Sequence, residues 1–90
     1  MPNKAVDLAI TLVAATERQL LPGNPARIYA LIVNDGAEAV YLGMSAPAVQ
    51  NRGIRLNQNG GSYEINAVNP WHGEIRAISA GTPAVLIVEW

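Results

Sequence analysis

Glycine and proline place the tightest limit on what this chain can become. Eight Gly and six Pro divide its 90 residues into short apolar runs. Neither residue sits well inside a helix or a central strand. Runs cut this short suit a many-stranded β domain better than a helix bundle. Their content agrees. The runs are rich in Ile and Val, aromatic residues make up only 6% of the chain, and Phe is absent. β-Branched side chains fit a pleated surface.

The length supports a single domain with one core. Half of the residues are hydrophobic and 14% are charged, well above the apolar content of chains that stay disordered. Six Lys and Arg stand against seven Asp and Glu, a net charge of −1. That balance gives no global attraction for nucleic acid or for an anionic membrane. Without cysteine there is no disulfide scaffold and no thiolate chemistry. A single histidine makes a His-based metal centre unexpected, and no cofactor is expected. The apolar run from Val6 to Ala15 is interrupted by Asp7 and ended by Glu17, Arg18 and Gln19. It is too short to span a membrane and is a poor secretory signal.

Read along the chain, residues 1–8 form a polar N-terminal arm, and 9–90 form the domain. Residues 9–20 satisfy two patterns. Val6, Ile10 and Val13 have helical spacing, whereas Ile10, Leu12 and Ala14 share a strand face; Thr11 and Thr16 tilt the segment to strand. Pro22-Gly23 ends it either way. Residues 26–34 read as a strand apolar on both faces, with Ile28, Ala30 and Ile32 on one side and Tyr29, Leu31 and Val33 on the other. Asn34-Asp35-Gly36 is a turn signal, and residues 38–44 are expected to return beside 26–34 as a hairpin. Further strands are expected at 54–57, 62–66, 74–79 and 84–90. The expected class is all-β: a small antiparallel β-sandwich or jelly-roll-like barrel of about seven strands.

Candidate chemistry is sparse. His72 and Glu74 make an H-x-E pair, but the cysteines that accompany it in zinc deaminases are missing. Ser45, Ser62 and Ser79 have only His72 as a base, and no G-x-S-x-G is present. Glu64, Glu74 and Glu89 fall on different expected strands. Asn59-Gly60-Gly61 and Leu21-Pro22-Gly23 lack the lysine and helix of a phosphate loop, so they read as turns. Arg52, Arg55 and Arg76 with Tyr63 and Trp71 could form a small basic-aromatic face, which the neutral charge opposes. Surface recognition is the better prospect. Trp71 and His72 lie in a tight loop between Asn69-Pro70 and Gly73, where Trp71 serves either as a contact point or as a lid on the core. Leu86, Val88 and Trp90 share one face of the last strand and are the other candidate interface. No residue is a candidate for catalysis.

The segments Asn24–Arg27, Asn34–Gly36, Val40–Gly43, Gly53–Leu56, Gly60–Glu64, Ile75–Gly81 and Val85–Glu89 together resemble a group of small tailed-bacteriophage virion proteins. Across Leu21–Trp90 the shared motifs are turns and core strands. The resemblance implies a structural role as a head decoration, cement or other accessory protein, without an active site. It implies a phage shell or other virion protein as partner; the two apolar faces of 26–34 and the shared face of Leu86, Val88 and Trp90 point to a homo-oligomer, for which the resemblance favours a trimer. It also implies a location in the virion, after assembly in the host cytoplasm. The loop holding Trp71 and His72 departs from the pattern. The alternative is a carbohydrate- or receptor-binding module of a fibre or tail, with Trp71 as a stacking platform.

Overall fold

A computed structural model describes residues 5–90. It contains eight strands: β1 (Val6–Thr11), β2 (Arg18–Leu21), β3 (Ala30–Asn34), β4 (Val40–Met44), β5 (Ile54–Leu56), β6 (Ser62–Ile65), β7 (Ile75–Ser79) and β8 (Ala84–Glu89). No helix occurs among the described residues. One sheet has the order β1-β8-β3-β6 and the other β2-β7-β4-β5, with every pairing antiparallel. These are called the first and second sheet below. The chain changes sheet at every connection except β4–β5. This strand order is that of a double-sheet jelly roll. The molecule is therefore the expected all-β sandwich, in two separate sheets rather than a closed barrel.

Alternation along the strands builds the core. Ile32 on β3, Val85 and Ile87 on β8 and Ile65 on β6 point inward from the first sheet. Val40 and Leu42 on β4, Leu56 on β5 and Ile75 and Ala77 on β7 meet them from the second. All are buried. Aliphatic side chains fill this narrow interior without any Phe, as the composition requires.

Several sequence expectations change. The segment 9–20 is not one element: β1 runs to Thr11, the chain reverses through Ala15 at φ 55°, and β2 begins at Arg18. The neighbouring sheets attract the two halves separately, since Ile10 pairs opposite Val85 and Arg18 opposite Ala77. Of the expected arm, residues 1–4 lie outside the described residues, and Val6, Asp7 and Leu8 belong to β1, paired with β8. The expected hairpin between 26–34 and 38–44 does not form. β3 is in the first sheet and β4 in the second.

The reason for that crossing is Asn34. Fully buried, it donates its side-chain amide to the carbonyls of Glu38 (2.7 Å) and Leu56 (3.1 Å), while its side-chain oxygen accepts from Gly36 N (3.0 Å). The turn residues thus bend the chain over the end of the sandwich instead of back along the same sheet. Gly36 lies against Pro83, where a Cβ would collide with the proline ring. At the opposite end, Arg27 plays the organising part. It is 3% exposed; its Nε donates to Glu89 (2.6 Å), its Nη1 to the carbonyls of Trp71 and Gly73, and its Nη2 to that of Pro22. One guanidinium therefore ties the β2–β3 loop, the β6–β7 loop and β8 together.

Candidate functional site

The outer face of the first sheet follows directly from its register. Directly opposed residues of antiparallel strands point to the same side. Ala9 lies opposite Leu86, Leu86 opposite Val33, Val88 opposite Leu31, and Leu31 opposite Glu64. Because Val85 and Ile87 face inward, Ala9, Leu31, Val33, Leu86 and Val88 face out together. Leu86 is 38% exposed; Leu31, Val33 and Val88 are half-buried. At one end the patch is closed by an aromatic pair, Tyr29 and Trp90, stacked with ring centroids 4.4 Å apart and planes at 23°. Backbone hydrogen bonds join the two residues in both directions, Trp90 N to Tyr29 O at 3.0 Å and Tyr29 N to Trp90 O at 3.1 Å. Charge is confined to the rim. Asp7 lies opposite Val88, and Glu64 accepts a 2.7 Å hydrogen bond from the Tyr29 hydroxyl. That bond to a carboxylate, before any effect of burial, holds the Tyr29 phenol above its ordinary value.

The second sheet presents a different outer surface. Its β4–β5 loop folds back over Gly43, where a Cβ would lie 2.6 Å from the Ala46 carbonyl and 2.9 Å from Ala48 Cα. Ala48 and Tyr41 are buried, and the Arg55 guanidinium lies 6.0 Å from the Tyr41 ring centroid. Beside this loop, Arg76 is held between Glu17 and Glu74, and Gln19 also donates to Glu74. The hydrogen bond from Arg76 pulls the Glu17 carboxyl below its ordinary value; the bond from Gln19, then that from Arg76, does the same for Glu74. A self-supplied loop and a charge network thus occupy one outer face, while the centre of the other stays apolar, with Asp7 and Glu64 at its edges.

Of the residues singled out in the sequence, Leu86, Val88 and Trp90 come together on the first sheet's outer face. Trp71 and His72 do not join them. They sit at the end of the sandwich, where Trp71 is half-buried, packs against the core cluster and donates its indole N–H to the Glu74 carbonyl (3.3 Å). Gly73 lies close over the indole ring. His72 is exposed and uses its backbone carbonyl to accept from Asn24 N (2.8 Å). A cavity of about 260 Å3 lies beside Trp71, lined by Ile28, Ile65, Pro70 and His72 among others.

The other candidates disperse. Glu64 faces out from the first sheet, Glu74 is engaged with Gln19 and Arg76, and Glu89 is buried against Arg27. Ser79 is buried and donates to the Ala39 carbonyl (2.7 Å). No group of three His, Cys, Asp or Glu among the described residues is placed to hold a metal ion. Arg76 is neutralised by two carboxylates, so Arg52, Arg55 and Arg76 do not make one free basic face. The Arg27–Glu89 pair went unseen in the sequence. Its signal was there: Glu89 takes the inward register of Val85 and Ile87, and a buried carboxylate needs a buried cation.

No protein-family model, no curated protein sequence and no solved structure matches the chain.

Proposed function

We propose that this chain is a structural virion protein, a decoration, cement or accessory component that docks on a phage shell through the outer face of its first sheet. One observation supports this reading above the others. The face formed by Leu86 and Val88 of β8 and Leu31 and Val33 of β3, extended by Ala9 of β1, is apolar, whereas the chain covers its second sheet with its own β4–β5 loop. A contiguous apolar patch with a polar rim is the usual form of a protein contact surface. The sequence resemblance to small phage virion proteins supplies the kind of partner. Binding to the assembled shell and not to its free subunits would stabilise the shell by mass action. In this reading the protein is not an enzyme, needs no cofactor, and self-associates. Its place is in the virion.

The rival reading, a carbohydrate- or receptor-binding module, needs Trp71 as a free stacking platform. It has less support, because that ring is engaged with the core and with Glu74. The test is mass spectrometry of purified particles of a phage that encodes the chain. A fixed copy ratio to the shell protein is expected. Absence from the particle, or recovery only with the fibre, would overturn the shell reading.

A further inference from the structure

The sandwich has four edge strands, and three of them are blunted. β5 has three residues with Arg55 at its centre; β6 has four, with Glu64. β2 has four, begins with Arg18, and shifts register between Gln19 and Leu21. Short length, charge and irregularity are the usual defences of an open sheet edge. β1 lacks all three. It is six residues long, keeps an unbroken register with β8 and carries one charge, Asp7. Among the described residues it pairs with β8 alone. Its core-side residues Val6 and Leu8 are nevertheless 42% and 38% exposed, so among the described residues they are only partly covered.

We propose that a second copy of this chain fills this edge, β1 against β1, antiparallel across a two-fold axis through Leu8. The free N–H and C=O groups of an edge are satisfied together only by another extended strand. β1 is its own complement. Centred on Leu8, the pairing sets Leu8 opposite Leu8, Val6 opposite Ile10 and Asp7 opposite Ala9. Both exposed core-side residues gain an apolar partner, and the two Asp7 carboxylates do not face each other. A centre on Asp7 would oppose the two carboxylates, and one on Ala9 would leave Val6 unmatched. The same edge of the same strand meets itself, so the assembly closes at two. The two first sheets become one, and their apolar outer faces become continuous. This deepens the self-association in the reading above but does not depend on shell binding, so it is tested without particles.

The experiment uses the isolated full chain. Light scattering over a dilution series is expected to show a mass rising to twice 9.6 kDa, and Leu8→Lys is expected to abolish the rise. Because the chain has no cysteine, Leu8→Cys supplies a second readout that retains a small apolar side chain. Under oxidised glutathione it should form an inter-chain disulfide much faster than Val68→Cys, which places the thiol on a loop residue 94% exposed. A mass of one chain or of three at every concentration would overturn the proposal. So would equal crosslinking of the two cysteine variants. Particle binding is scored separately, so a dimer that binds no shell would refute only the shell reading.

Discussion

Three buried polar residues, Arg27, Glu89 and Asn34, fix how the ends of this sandwich close. Arg27 satisfies one carboxylate and three backbone carbonyls, so its loss orphans groups from three segments at once. Removing one partner of a buried ion pair leaves an uncompensated charge and costs about 3–5 kcal/mol. Glu89→Ala is therefore expected to lower unfolding stability by that amount in denaturant titrations. Substituting both members with apolar residues should not recover it, because the carbonyls of Pro22, Trp71 and Gly73 would remain without their donor. Trp71 belongs to the same end. Trp71→Ala is expected to cost about 2–3 kcal/mol, below the value for a fully buried aromatic because the ring is only half covered. Particle binding by the folded fraction should be unchanged. A loss of binding at unchanged stability would make Trp71 a contact residue instead. The sequence showed these residues only faintly: a tryptophan beside proline and glycine marks a loop tip but not which way the ring turns.

At the level of strands and turns, local signals were legible and their partners were not. Tyr63 and Ile65 turn toward the core while Ser62 and Glu64 are exposed, and Ile75 and Ala77 are buried together, as simple alternation along each segment requires. The turn dipeptides lay where the chain turns. A turn signal does not say whether the next strand joins the same sheet or the opposite one, and here almost every connection crosses. That choice is made by distant groups, such as the Leu56 carbonyl that receives the Asn34 amide. The β4–β5 loop is similar: its cover over the second sheet depends on the missing side chain at Gly43. Gly43→Val would drive a side chain into Ala46 and Ala48, and should cost about 1–3 kcal/mol as for other overpacked sites, read as a lower melting temperature. Charge on this sheet gives a pH dependence. Glu17 and Glu74 are held below their ordinary value of 4.5, so the folded state takes up protons less readily than the unfolded chain. Their contribution is fully present above that value and is lost as pH falls through the lowered values. Melting temperatures measured into the acid range should drop there, and Arg76→Gln should flatten that part of the curve.

Across the whole molecule, the two outer surfaces differ in kind. One is covered by the chain's own loop and tied by Arg76 to two carboxylates; the other offers Leu31, Val33, Leu86 and Val88 with charge only at its margin. Part of this was visible beforehand, since residues 26–34 read as apolar on both faces and Leu86, Val88 and Trp90 as sharing a side. That these two strands are neighbours was not visible, because pairing between residues more than 50 positions apart leaves no local trace. The most direct test of the docking face is co-sedimentation with purified heads of a phage that encodes the chain, comparing the natural protein with Val88→Lys. Val88 is half-buried, outside the core and opposite Asp7, so a lysine there meets an opposite charge and the variant should fold with a similar melting temperature. The natural chain is expected to bind to saturation at a fixed ratio, with affinity for Val88→Lys reduced by at least about tenfold, or ~1.4 kcal/mol. Equal binding by the folded variant, or no binding by the natural chain, would contradict the assignment of this face.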